Sequence, residues 1–250
     1  MNQMTQSIFK MYSTLELGKN KICQECKKEN TNGFSKPISV WHVGDKFHDN
    51  NYKVLFVGKV ARGELYPNVN DYERHGIIDA TAFGKDSLSN PFSAFWNYTR
   101  EISVRLFGQK DAIDNIAMTN LIKCNNAMDD EGRNSDGTTS DYTTVLMKNN
   151  CLKKIGVFWK EIDVLMPKNI VVYSHYEYDD YLRHPNSVQT QKEVTNQPRT
   201  IGQKKMRWWD RELVMHDGRT VRLLVVSHPQ YLLKDDFVNK IVSWIKNQPV

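Results

Sequence analysis

Arg222-Leu223-Leu224-Val225-Val226-Ser227-His228-Pro229-Gln230-Tyr231-Leu232-Leu233 is the stretch from which the fold is read. The unbroken apolar run Leu223-Leu224-Val225-Val226 reads as a buried parallel strand, and Pro229 ends its ladder just after His228. Three other apolar runs also end in polar residues. Lys53-Val54-Leu55-Phe56-Val57-Gly58 runs into Lys59, Asn120 lies within residues 115–121, and Ile170-Val171-Val172-Tyr173 is followed by Ser174-His175. In an open α/β sheet, ligands bind outside the carboxyl ends of the strands, so these four segments are expected to converge on one site.

Helical patterns alternate with these strands. Residues 1–22 carry Ile8, Met11, Tyr12 and Leu15 at spacings of three and four, which predicts a short helix. Residues 91–106 read as a helix with Phe92, Phe95, Trp96, Ile102 and Leu106 near one stripe. Cys151 is expected to open a helix that Pro167 stops, and residues 235–246 form the last one. Residues 212–215 and 219–226 read as a hairpin turning at His216-Asp217-Gly218. Residues 59–90, 125–140 and 183–203 are expected to be loops. The expected fold is a three-layer α/β/α sandwich around a central, mostly parallel, four-stranded sheet. One domain is expected over residues 1–250, with residues 1–35 an N-terminal helix and cysteine loop packed on it.

Composition narrows the class. With 34 basic and 29 acidic residues, net charge +5 and 40% apolar residues, the chain reads as an ordinary globular protein with a weak basic bias. No apolar run nears the roughly 18 residues of a membrane helix, and residues 1–17 lack a secretory core. A cytoplasmic monomer without membrane association is therefore expected.

In that compartment Cys23, Cys26, Cys124 and Cys151 are expected to be reduced thiols. One Cys-x-x-Cys pair on a polar loop plus two distant singles fits a zinc ribbon poorly, since such modules use two close pairs. A four-thiolate iron–sulfur cluster is one alternative, because its ligands can be far apart in sequence. The other is that Cys124 and Cys151 are small buried hydrophobes.

The order of these pieces resembles the uracil-DNA glycosylase superfamily, closest to its iron–sulfur branch, family 4. The resemblance runs from Cys23 to Leu233. It rests on Cys23-x-x-Cys26, Leu55-Phe56-Val57-Gly58, Asn90-Pro91-Phe92, Thr119-Asn120-Leu121-Ile122-Lys123-Cys124, Cys151, and His228-Pro229-Gln230-Tyr231-Leu232-Leu233. Each piece is common alone; their joint order is specific. The resemblance implies a structural 4Fe-4S cluster on Cys23, Cys26, Cys124 and Cys151. It also implies a monofunctional DNA glycosylase, which flips a base from single- or double-stranded DNA and hydrolyses its N-glycosidic bond.

Such an enzyme must grip the extruded base and stabilise charge on it as it leaves. Phe92 is the candidate to stack on the base, and Asn120 to read its edge through the amide. Gly58 and His175 are expected at the pocket wall. His228 is expected to donate a hydrogen bond to the oxygen that gains charge, while Glu64 or Lys59 serves the attacking water or the cationic sugar. Lys204, Lys205, Arg207 and Arg211, interleaved with Trp208 and Trp209, suit phosphate and stacking contacts, and Tyr231-Leu232-Leu233 suits a wedge. Each residue also has a plainer role. Phe92 can be core, Asn120 a strand cap, His228 a backbone-bonded histidine, Glu64 a solvated acid, and the tryptophans can lie beneath the hairpin.

The chain departs from the family around the pocket. Gly58-Lys59-Val60-Ala61-Arg62-Gly63-Glu64 stands where the family usually reads Gly-Glu-Ala-Pro-Gly. Gln230 and His175 also stand where small residues are typical. The expected target is accordingly a non-standard or modified base: uracil, or a hypermodified cytosine of phage DNA in antiviral defence. Two alternatives are an inactive nucleic-acid-binding module of the same fold and an unrelated α/β hydrolase with a structural zinc.

Overall fold

Along each inner strand successive side chains enter two different cores. In β2 (Val54–Val60) Val54 and Phe56 face one core, Leu55 and Val57 the other; β5 (Ile116–Ile122), β6 (Asn169–Tyr173) and β11 (Thr220–Val226) alternate in the same way. Burial on both faces is why these strands read as continuous apolar runs. The computed structural model describes residues 2–29, 36–60, 73–74, 77–124, 143–174, 176–183 and 187–247.

The four expected strands are the parallel centre of a larger, mixed sheet. Its order is β1 (His42–Val43), β5, β2, β6, β11, β10 (Trp208–Met215), β7 (Val188–Thr195), making seven strands instead of four. β1, β10 and β7 run antiparallel to their neighbours. The predicted hairpin is β10–β11, with Gly218 at φ 83° in its turn. β7 lies in the expected 183–203 loop. It is an edge strand of exposed polar residues, so no apolar alternation marks it. β8 (Arg199–Ile201) and β9 (Lys204–Met206) form a separate two-stranded ribbon in the same region.

Helices cover both faces. α1 (Gln3–Thr14), α2 (Lys21–Glu29) and α6 (Val157–Leu165) bury side chains in one core, and α3 (Thr81–Ser89), α4 (Ala94–Phe107) and α8 (Lys234–Lys246) in the other. Among the described residues no helix is long and apolar enough to cross a membrane. β2 leads outward to β5, whereas β6 leads the opposite way to β11, so their carboxyl ends form a topological switch point.

Four local expectations are corrected. The Cys23/Cys26 pair lies on α2, not a loop, because Asn20 caps that helix: its Oδ1 accepts from the Cys23 N–H at 2.9 Å. Helix α3, together with short strands β3 (Glu73–Arg74) and β4 (Ile77–Ile78), falls within the expected 59–90 loop. α3 can approach the chain at Trp41 because position 84 is glycine; a Cβ there would stand 2.0 Å from the Trp41 carbonyl oxygen. Cys151 does not open a helix. α5 (Val145–Lys148), capped by Thr144, continues as a π turn over Asn149–Lys154 that turns Asn150 and Cys151 inward. Finally α4 starts at Ala94, because Ser93 is still extended (φ −137°, ψ 166°), and Phe92 is thereby held off the helical stripe.

Candidate base pocket and cysteine centre

Gly58 and Asn120 are register partners on adjacent parallel strands at the carboxyl edge of the sheet. A Cβ at position 58 would meet Asn120 Oδ1 at 2.4 Å and the Phe95 ring at 3.3 Å, so only glycine leaves the amide where it lies. The two residues line a cavity of about 420 Å³ with Lys59, Val60, Phe92, Ser93, Phe95, Trp41, Trp96, His228 and Gln230. The sequence-predicted Gly58, Lys59, Phe92, Asn120 and His228 therefore meet in one place. Glu64 and His175 lie outside the described residues.

Aromatic rings build the wall. Trp96 packs edge-on against Trp41 (5.6 Å between ring centroids) and Phe95 (5.1 Å), and tilted against Phe92 (6.4 Å). Phe92 is 60% exposed, so its ring is a free stacking surface and not core. Phe95 lies nearly parallel to the His228 ring, 6.1 Å away and 12° from coplanar. Asn120 is almost fully buried. The Gln230 N–H donates to His228 Nδ1 at 3.3 Å. A neutral imidazole that accepts at Nδ1 carries its proton on Nε2, which makes Nε2 a donor. Lys59 is the sole formally charged lining side chain among the described residues, and no carboxylate lines the cavity there.

Sequence reading missed Trp41 altogether and assigned Phe95 and Trp96 only to a helical stripe. Phe92-x-x-Phe95-Trp96 beside Pro91 carried a usable signal, an aromatic cluster at a helix start; Trp41 carried none. Replacing Gly58 by alanine tests the local geometry. On the glycosylase reading proposed below, the added methyl displaces the Asn120 amide and base release falls about 10²-fold while the urea midpoint moves little. Unchanged release in Gly58→Ala would take the amide out of that reading.

Next to Gln230 in the chain, Tyr231 is 77% exposed and held at φ 67°, a strained backbone for a tyrosine. Lys204 Nζ stands 5.5 Å over its ring. Leu233 is exposed as well, whereas Leu232 packs against the core and its carbonyl accepts from Tyr98 at 2.8 Å. Of the predicted wedge, Tyr231 and Leu233 project and Leu232 does not.

The basic run is corrected more sharply. Lys204 and Lys205 are exposed, but Arg207 and Arg211 are buried. Arg207 pairs with Asp179 at the start of α7 (Asp179–Arg183) and lies against the rings of Tyr176 and Trp209. Arg211 donates to the carbonyls of Leu182 (2.7 Å) and Arg183 (3.1 Å), and burial pulls its pKa down to about 10. Trp208 and Trp209 are buried too, so neither offers a stacking platform.

All four cysteines are buried in a single core and none is in a disulfide. Burial first, and then the neighbouring thiols, raises Cys124 well above the ordinary range; burial pushes Cys151 up to about 12. N–H groups point at three of the sulfurs: Gly18 N–H at Cys23 Sγ (3.2 Å), Asn150 Nδ2 at Cys26 Sγ (3.0 Å), and the Lys123 backbone N–H at Cys151. Among the described residues no three His, Cys, Asp or Glu side chains form a site for a single metal ion. Four soft sulfur donors with N–H groups aimed at them are the donor set that an iron–sulfur cluster takes.

Set against known proteins, the sequence matches no protein-family model and no curated protein.

Proposed function

We propose that this chain is a monofunctional DNA glycosylase of the uracil-DNA glycosylase type, with Cys23, Cys26, Cys124 and Cys151 holding a structural 4Fe-4S cluster. The observation that carries the reading is the convergence of Gly58, Phe92, Asn120 and His228, from separate segments, on one aromatic cavity at the sheet's switch point. A cluster on these four cysteines would be structural, joining α2, the end of β5 and the π turn.

The residues then divide the work. Phe92 offers its exposed ring to the flipped base, and the Asn120 amide reads a base edge. His228 Nε2–H donates to the oxygen that gains charge as the C1′–N bond breaks. Water attacks C1′ and its proton passes to the departing base. Lys59 is assigned to hold that water by donating to its oxygen, and Glu64 to steady the cationic sugar. Tyr231 and Leu233 fill the gap left in the stack, and Lys204 and Lys205 meet phosphates.

The substrate is DNA inside the cytoplasm carrying a non-standard base. A cavity of about 420 Å³ is roomier than a bare pyrimidine requires and falls among pockets that bury sizeable ligands, about 300–1,000 Å³. The altered first motif, with Lys59 in place of the family acid, is what favours a base other than plain uracil. DNAs containing uracil, hypoxanthine, cytosine or glucosylated hydroxymethylcytosine, treated with the anaerobically purified protein and then alkali, test this. Strand breaks at a modified base are expected; intact strands on every substrate would reject catalysis.

A second reading, a binding module of the same fold, is favoured by one observation: the family acid is replaced by Lys59, and no carboxylate lines the described cavity. Both readings expect DNA affinity. Replacing Lys204 and Lys205 by glutamine should lower it and reduce the slope of log K against log salt by about 2. An unchanged salt slope would remove these lysines from the interface.

A further inference from the structure

A second cleft, of about 390 Å³, lies beside α8 and shares no residue with the base pocket. Arg199, Arg222 and Lys240 line it with the rings of Trp208 and Trp244, and among the described residues no carboxylate does. The Arg199 guanidinium lies 5.1 Å over the Trp208 ring, and that of Arg222 lies 4.2 Å over the Trp244 ring. Arg222 is a fixed part of the wall. It donates to the Trp244 carbonyl at 2.9 Å and to Asn169 Oδ1 at 3.4 Å. Glu212, its partner across β10 and β11, and the buried Asp210 on the same face offset its charge. Arg199 is exposed and Lys240 half-buried, which leaves these two to meet a ligand. Trp208 is 4% exposed, and its indole N–H has no acceptor among the described residues. A buried donor lacking an acceptor and two outward cations in one cleft fit an anion.

The cleft's position says which anion. The β8–β9 ribbon that brings Arg199 also carries Lys204 and Lys205, and its turn meets the start of α8, where the Gly202 N–H donates to Asp236 Oδ2 at 3.1 Å. Leu233, Asp236, Lys240, Ser243 and Asn247 follow one another at spacings of three and four, so one stripe of α8 leads from the exposed Leu233 into the cleft. At about 1.5 Å per residue, Lys240 lies about 10 Å and Asn247 about 20 Å along the helix from Leu233. α8 runs antiparallel to β11, since Arg222 near the start of β11 meets Trp244 near the end of α8. The stripe therefore descends from the pocket edge along the side of the sheet. A duplex, with a persistence length of about 150 base pairs, is too stiff to turn down that side within a few steps; a single strand is not.

We propose that this cleft takes the backbone phosphates of a single strand running on from the base pocket, with Arg199 and Lys240 as the contacts; this rests on the DNA reading above. The substrate class is then DNA with a single-stranded flank beside the target base. At about 3.4 Å per nucleotide, or more when the strand is stretched, at most about six nucleotides separate Leu233 from the far end of the cleft. Arg199 and Lys240 touch no reacting atom; they fix the path of the strand and add to its affinity.

The test measures DNA affinity against salt for the full chain purified anaerobically, as wild type, as the Arg199→Gln/Lys240→Gln double variant and as Ser243→Glu. The last places an acid in the cleft at an exposed position, and so keeps the test open where loss of the Arg199–Trp208 contact unfolds the double variant. The probes are single strands with one abasic-site analogue and a 5′ or 3′ flank of about one or about ten nucleotides, the short flank stopping before the cleft and the long one passing it. The long set is also measured annealed to a complement. With the long single-stranded flank on one side, the double variant should lower the slope of log K against log salt by about 1.4, the value for two lost phosphate contacts, and Ser243→Glu should weaken binding. On the short flank and on the annealed one the three proteins should bind alike. Equal binding of the long single strand by wild type and variants, or an equal loss on the short one, would overturn the role of the cleft. An equal loss on annealed DNA would overturn the assignment to a single strand. A wild type without affinity for any DNA would overturn the DNA reading itself, and this inference with it.

Discussion

Replacing His228 by alanine is expected to lower the rate of base release by about 10²–10³-fold, the usual cost of removing one donor to a developing anion. DNA affinity and the unfolding midpoint should hardly change. The reason is where the ring sits. His228 follows the last strand residue, Val226, by two positions, is only partly buried, and contacts the Phe95 face and the Gln230 N–H rather than the main core. With Nδ1 occupied as an acceptor, the contribution lost is that of Nε2–H. Glutamine at this position can present an amide N–H in roughly the same place, so His228→Gln should recover part of the loss where asparagine, which is shorter, does not. Single-turnover kinetics separates this from binding. A full rate in His228→Ala would remove the histidine from the chemistry.

The largest effect on stability is expected at Arg211, a residue that reads as a surface cation. Its guanidinium satisfies the last carbonyls of α7 and stacks 4.5 Å from the Trp209 ring. Alanine here loses two charge-assisted hydrogen bonds, leaves the buried Leu182 carbonyl without that donor and opens a gap beside Trp209. At about 1.5–3 kcal/mol for each hydrogen bond to a charged group, the expected destabilisation is about 3–5 kcal/mol in urea unfolding. Arg211→Lys keeps the charge but not the planar fork, and should recover less than half. A loss below about 1 kcal/mol would show that the fork contributes little, since that is the scale of exposed pairs.

The same residue explains what the sequence made legible. Strands buried on both faces, such as Leu223 to Val226, announce themselves by apolar runs, and the four parallel strands were all found that way. β10 begins earlier than its apolar pattern because Trp208 and Trp209 enter opposite cores, with Arg211 buried on the Trp209 side and Arg207 buried just before the strand. Read by period two, the run is a buried strand with its cations turned inward; read by charge, it is a DNA-binding patch. β7 was invisible because an edge strand exposed to water needs no apolar face. The pocket was legible where polar residues end an apolar run, as at Lys59 and at Ser227-His228, or interrupt one, as at Asn120. It was not legible at Trp41, which reaches the site through the antiparallel pairing of β1 with β5, a contact with no local signature. The local structure of the cysteines was not legible: Cys23 and Cys26 lie on a helix capped by the Asn20 side chain, and Cys151 lies in a π turn.

The account turns on one bond, C1′–N, being broken by water at this pocket. Its most direct test is to incubate the protein with DNA bearing glucosylated hydroxymethylcytosine in ¹⁸O-labelled water and weigh both products by mass spectrometry. Release of the intact modified base, with the label in the abasic sugar and not in the base, is the predicted result, and it should be strongly reduced in His228→Ala. No free base from this or any other modified DNA, despite tight binding by an iron-loaded protein, would contradict the account and leave the fold as a binding module.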